Sequence, residues 1–241
     1  MYIMGFITSW FLFNYQAGKK KIKGLTEQVV ESFYFWIIVA LVLGARLGYV
    51  LFYNLGYYMQ NPLRVFAVWQ GGMSFHGGLI GLVIAGVLFC RKHKLDFWKV
   101  ADMLVATVPP GLGFGRLGNF INGELFGRPS NVPWAMIFPQ GGDIPRHPSE
   151  LYEFFFEGVV LFIILWVLKD RIKKSGMLLA AFLILYGLIR FTLEFFRQPD
   201  PQLGFVAGPF TMGQVLSSAM VLAGILLALW RRKAAKTEKT S

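Results

Sequence analysis

The chain has 241 residues, 55% of them hydrophobic and 17% aromatic, with only 15% charged, where a soluble domain carries roughly a quarter charged residues. Mostly apolar runs of about 18 or more residues, the mark of membrane helices, recur along it. They exclude an ordinary soluble domain and predict an all-α, polytopic membrane helix bundle, because backbone groups in hydrocarbon must be satisfied within their own segment. The net charge of +11 does not call for nucleic acid, since seventeen of the 24 bases fall in four clusters beside apolar runs, as expected of loops facing anionic lipid on the inner side.

Seven apolar segments follow in order, at about 1–17, 29–53, 73–90, 97–114, 151–168, 177–196 and 209–230. They predict about seven transmembrane helices in one domain spanning 1–241. The first begins at Met1 with little room before Lys19, so either the helix is short or the chain lacks upstream residues. No cleavable signal peptide is expected, because no basic n-region or small-residue cleavage motif is present. The basic clusters Lys19–Lys23, Arg91–Lys99, Lys169–Lys174 and Arg231–Lys239 follow the first, third, fifth and seventh segments. This places the N-terminus outside and the C-terminus in the cytoplasm.

The outer connections are then 54–72, 115–150 and 197–208. The longest, 115–150, lies between helices four and five and is read as a small outer cap. It carries turn signals such as Arg128-Pro129-Ser130 and Gly141-Gly142, and WAMIF (Trp134–Phe138) can form a short strand. Residues 231–241 read as a disordered cytoplasmic tail. No internal repeat is evident, which weakly disfavours inverted-repeat transporters.

The seven bases outside the clusters are all arginine: Arg46, Arg64, Arg116, Arg128, Arg146, Arg190 and Arg197. Guanidinium is a rigid, permanently charged fork suited to phosphate, so they point to a phosphate-bearing ligand. In YGLIRFTLEFFRQPD (Tyr186–Asp200), Tyr186, Arg190, Glu194 and Arg197 share one helical stripe. Charges in a membrane helix usually face a cavity or a partner. Two readings stand: an internal Arg190–Glu194 pair with Arg197 snorkelling outward, or a ligand-facing Arg190.

GRLGNFINGELFGR (Gly115–Arg128) concentrates Arg116, Asn119, Asn122 and Glu124 among glycines that permit close backbone approach. It is either a ligand site or a hydrogen-bonded re-entrant turn. GFGRLG matches a dinucleotide fingerprint only formally, with no strand before it. His76, at the outer mouth of the third helix, is a structural residue or a general base. The three histidines lack metal-ligand spacing, so no metal is expected. His147, Glu150 and Glu153 read as anchors between cap and fifth helix, with Ser149 a candidate N-cap. Gly44–Gly48 and Gly77–Gly81 have the small-residue spacing of close helix packing. Arg46, within the first, reads mainly as a helix-pairing residue. Cys90 reads as a small buried thiol.

Together, GGMSFHGG, GRLGNFINGELFGR, RHPSELYE and YGLIRFTLEFFRQPD resemble the bacterial phosphatidylglycerol–prolipoprotein diacylglyceryl transferases, in order from about Arg46 to Trp230. The resemblance implies a seven-helix inner-membrane enzyme. It would move a diacylglyceryl group from phosphatidylglycerol to the lipobox cysteine of a prolipoprotein signal peptide, releasing sn-glycerol 1-phosphate. It implies Arg116 as a phosphatidylglycerol-binding residue and Arg190 as a second essential arginine. His76 and Tyr186 take catalytic positions, and Asn119, Glu124, Gly127 and Glu194 fall on further functional positions. The family's Tyr-Gly pair on the first helix has no counterpart, because this chain starts just beyond it. No cofactor is implied, since the activated group arrives already attached to phosphate. The alternative is a transporter of a lipid or organic phosphate using the same arginines.

Overall fold

A computed structural model describes residues 1–20, 22–199 and 204–237. Ten α-helices occur among them: α1 (Tyr2–Lys20), α2 (Glu27–Tyr53), α3 (Leu55–Gln60), α4 (Phe75–Lys92), α5 (Phe97–Val105), α6 (Val108–Asn122), α7 (Ser149–Glu153), α8 (Leu161–Arg171), α9 (Met177–Leu193) and α10 (Met212–Thr237). Phe154–Val160 joins α7 to α8 as π-helical turns. A two-stranded antiparallel hairpin, β1 (Phe205–Ala207) and β2 (Phe210–Thr211), precedes α10. The chain is therefore mainly helical. Among the described residues, four helical stretches are long and apolar enough to cross a membrane: Glu27–Tyr53, Phe75–Lys92, Ser149–Arg171 and Met212–Lys233, with Met177–Leu193 a shorter apolar helix. That composition makes the chain a multi-pass membrane protein.

Residues 14–100 form one compact unit. Its α2 and α4 meet along the two predicted glycine pairs. A Cβ on Gly48 would stand 2.7 Å from Gly77 Cα, and one on Gly44 would stand 3.0 Å from Gly81 Cα, so only glycine permits this separation. Phe33 and Phe89 pack edge to face at 5.3 Å beneath the contact. Among the described residues, Arg46, 3% exposed, pairs with no charge of a neighbouring helix. It donates to five backbone carbonyls: Val65 (2.8 Å), Gly71 (2.6 Å), Gly72 (3.1 Å), Arg64 (2.6 Å) and Ala67 (3.1 Å). One side chain thus satisfies carbonyls of a connection built only of two short 3-10 helices, Pro62–Phe66 and Val68–Gln70.

The second unit comprises residues 1–13 and 101–241. The predicted fourth segment is broken at Ala106–Thr107, and α6 starts with Pro109 and Pro110, whose fixed φ suits a first turn. Contrary to expectation, α6 does not stop near residue 114. It carries Arg116 and Asn119 inside the helix and ends at Gly123, a left-handed cap with φ 66°. The irregular part of the predicted cap is thus 123–148. In it WAMIF forms one bridge, Met136 to Arg146, rather than a strand, because Pro133 and Pro139 flank it.

α6 crosses the π-helical turns at two facing glycines. A Cβ on Gly158 would lie 2.8 Å from Gly113 Cα. A small core of Val105, Ala106, Leu161, Leu165 and Leu178 lies beside this crossing. The Asp102 carboxylate accepts from the Gly176 (2.7 Å) and Leu179 (2.8 Å) amides and so caps α9. Ser149 does not cap α7; its hydroxyl donates to the Leu125 carbonyl at 3.3 Å. α10 continues as helix through Thr237, where the sequence reads as unstructured, since Arg, Lys and Ala are good helix formers. Residues 238–241 of that expected tail, and Asp200, lie outside the described residues.

Candidate active site

The Gly113–Gly158 crossing sets the site. Arg116 lies three residues after Gly113, one helical turn along α6, and Glu157 immediately precedes Gly158. Glu153 and Glu157 of the adjoining helix are both 0% exposed. Glu153 is shared by three arginines: its Oε2 lies 3.0 Å from Arg116 Nε, and its Oε1 accepts from Arg190 Nη1 and, at 3.2 Å, from Arg197 Nη1. Glu157 Oε2 accepts from Arg116 Nε and Nη2 at 3.4 and 3.5 Å, and its Oε1 lies 3.9 Å from Arg190 Nη1.

Arg190 is held on its other side by Glu194 at 2.6 Å, and Glu194 in turn accepts from the Thr211 hydroxyl at 3.0 Å. α9 ends at Leu193 with Glu194 as its cap, so Arg197 lies in the following turn and not on the predicted stripe. Its guanidinium folds inward to Glu153 instead of snorkelling. Tyr186, one turn before Arg190, stacks on Phe182 and lies within electrostatic range of Glu157, Arg116 and Arg190. Two guanidiniums from α6 and α9 therefore converge on the same pair of carboxylates. Such pairing is the way buried charge is made tolerable.

The seven arginines noted in the sequence fall into distinct roles. Arg46 and Arg146 donate mainly to backbone carbonyls, Arg128 donates to the Arg197 carbonyl, and Arg64 is exposed beside Tyr57. Arg116, Arg190 and Arg197 bind carboxylates. Among the described residues, the Nη1 of Arg116 makes no hydrogen bond with the protein.

Asn119 and Glu124 occupy a neighbouring position. Asn119 Nδ2 donates to Glu124 Oε1 at 2.9 Å and Asn122 Nδ2 does so at 3.2 Å. With Gly115 and Gly118, these residues line an open cleft of about 270 Å³. Gly127 belongs to neither group; its amide donates to the His147 carbonyl at 2.9 Å, and a Cβ there would stand 2.7 Å from the Phe196 carbonyl. His76 lies in the other unit, exposed in the first turn of α4, whose Ser74 cap accepts from the Gly77 amide at 3.3 Å.

The residues 1–230 match the family model described as prolipoprotein diacylglyceryl transferase. This chain belongs to the prolipoprotein diacylglyceryl transferase family. It is 51% identical over 237 residues to a phosphatidylglycerol–prolipoprotein diacylglyceryl transferase of Desulfotalea psychrophila, covering 96% of this chain and 87% of that one. It is 52% identical over 229 residues to that of Geobacter sulfurreducens (95% and 88%) and 48% over 239 residues to that of Pseudomonas aeruginosa (98% and 90%).

Within this member of the prolipoprotein diacylglyceryl transferase family, sequence reasoning treated Glu153 as an anchor and passed over Glu157. The missed signal is the spacing Glu150, Glu153, Glu157, which places three carboxylates on one face of an otherwise apolar helix. Among the described residues, no group of three or more His, Cys, Asp or Glu side chains is arranged to hold a metal.

Proposed function

We propose that this chain transfers the sn-1,2-diacylglyceryl group of phosphatidylglycerol to the thiol of a lipobox cysteine in a prolipoprotein signal peptide. This would be the first step of lipoprotein maturation, and it releases sn-glycerol 1-phosphate. The observation that carries the reading is the convergence of Arg116 and Arg190 on one buried centre, in a chain about half identical to relatives named for this reaction.

In the proposed mechanism the acceptor thiolate attacks the glyceryl carbon that bears the phosphate. The C–S bond forms as the C–O bond breaks, and the electron pair leaves on the phosphate oxygen. The arginines stabilise that developing charge, the largest contribution a preorganised site offers. Arg116 retains a donor edge toward the headgroup, while Glu153, Glu157 and Glu194 fix the guanidinium planes. Asn119 and Glu124, in the adjoining cleft, suit the glycerol hydroxyls. Gly127 keeps the loop closed against His147. His76 is assigned as the base that takes the thiol proton, with Tyr186 its alternative.

The proposed setting is the bacterial inner membrane, with about seven crossings, a small periplasmic cap around residues 123–148, the N-terminus outside and the C-terminus cytoplasmic. The placement of the basic clusters supports that orientation. The deciding experiment reconstitutes the chain with phosphatidylglycerol and a lipobox peptide. A peptide mass increase equal to one diacylglyceryl group supports the transferase. Lipid movement with an unchanged peptide would instead support a transporter, a reading the relatives do not favour.

A further inference from the structure

Within the buried cluster the charges of the arginines and of the carboxylates they contact already cancel before any lipid binds. Arg116, Arg190 and Arg197 face Glu153, Glu157 and Glu194, three guanidiniums against three carboxylates. A fourth carboxylate, Glu150, is 0% exposed, and among the described residues neither of its oxygens has a hydrogen-bond partner. A phosphodiester brought against Arg116 and Arg190 therefore adds one negative charge to a site with no positive charge to spare.

Either a carboxylate leaves the site or one becomes neutral. Glu153 and Glu157 are enclosed by α6, α9 and their own helix, with no exposed surface toward which to swing. Buried groups in this position neutralise by binding a proton, as paired carboxylates sharing one site do. The three carboxylates that contact the arginines are not equally held. Glu153 touches three arginines, and Glu194 has Arg190 at 2.6 Å and the Thr211 hydroxyl. Glu157 reaches its two arginines only at 3.4 to 3.9 Å, and its Oε1 has no hydrogen bond. The groups facing it are Arg116 from α6, Glu153 and Glu150 from α7, and Tyr186 and Arg190 from α9, with Arg197 beyond Glu153.

We propose that the phosphate headgroup binds together with one proton, and that the proton is carried by Glu157, the loosest carboxylate of the arginine cluster. The inference rests on the phosphatidylglycerol reading above. Glu157 is then a positioning residue that exchanges its charge for that of the lipid. The arginines keep their places whether or not the headgroup is present.

The test is calorimetric titration of dihexanoyl phosphatidylglycerol into the full chain in zwitterionic nanodiscs, with dihexanoyl phosphatidylcholine as the partitioning control. Two buffers of different ionisation enthalpy report the protons exchanged. The expected result is close to one proton taken up per lipid, with affinity falling about tenfold per unit as pH rises through neutrality. Glu157→Gln is expected to abolish the uptake and flatten the pH profile, and Glu150→Gln to leave both intact. Lipid binding to the wild-type chain without proton exchange overturns the proposal, and this measurement needs no variant to fold. Uptake that survives in Glu157→Gln and vanishes in Glu150→Gln overturns the assignment. Equal heats for the two lipids would instead remove the phosphatidylglycerol reading itself.

Discussion

Replacing Gly158 by alanine tests whether the helix crossing sets the geometry of the arginine cluster. The added methyl would stand 2.8 Å from Gly113 Cα, whereas ordinary carbon contacts lie at about 3.5–4.0 Å. The obstructing atom is backbone, so no rotamer change relieves the overlap, and α6 must withdraw by roughly 0.7–1.2 Å. Overpacking of this kind costs about 1–3 kcal/mol. The same withdrawal carries Arg116 off Glu157, whose contacts at 3.4 and 3.5 Å have no slack. A displacement near 1 Å in a positioning group lowers a rate by about 100-fold. Transfer of the diacylglyceryl group to a lipobox peptide, measured beside thermal unfolding in the same lipid, reads both effects. Gly18→Ala, with nothing within 4 Å of the new methyl, is the control and is expected to be neutral or stabilising by up to about 1 kcal/mol. Wild-type transfer and unfolding in Gly158→Ala would refute the reasoning that this contact spaces Arg116 from its carboxylates.

Arg116→Ala and Arg190→Ala are each expected to lower transfer by at least about 100-fold, the loss of one preorganised donor to a developing oxyanion. Lysine at either position is expected not to restore the rate, since it lacks the planar fork; near-wild-type rates in the peptide assay would contradict both statements. His76→Gln is expected to reduce transfer at neutral pH by about 100-fold or more while leaving unfolding unchanged, because the side chain is exposed. Arg46→Ala removes five donors from carbonyls of residues 64–72. At about 1 kcal/mol per net hydrogen bond the loss is several kcal/mol, visible as faster amide exchange in that loop.

Much of the helical character was legible in the apolar runs, since each of the seven contains helix, although the fourth is broken at Ala106–Thr107 and, among the described residues, four helical stretches are long and apolar enough to cross a membrane. The glycine pairs at 44/48 and 77/81 announced the α2–α4 contact because the absence of a side chain is itself a packing instruction. The extent of α6 was not legible: its last two turns carry polar residues and glycines that read as loop. They are helical because α6 packs there against the π-helical turns and Gly123 closes it. Asn119 and Glu124 stand out in the sequence by their density, and Arg116 and Arg190 by the rarity of charge in lipid. Their counter-ions were not found, because Glu153 adjoined the polar loop and Glu157 lay alone within FFFEGVV. Only the crossing of separate helices reveals that these two acids serve both arginines. The roles of Arg46, Arg128 and Arg146 were equally hidden, since a guanidinium bound to main-chain oxygen and one bound to a carboxylate look alike in sequence.

Glu153 is the common counter-ion of three cations, from α6, from α9 and from the turn that follows α9. Losses at Arg116, Arg190 and Arg197 are therefore not independent: once one has gone, the carboxylate redistributes its attraction to the survivors, and a second removal costs a different amount from the first. Such a hub ties the histories of the four positions together. A substitution at any one changes what the other three can tolerate, so the centre is free to drift only as a set.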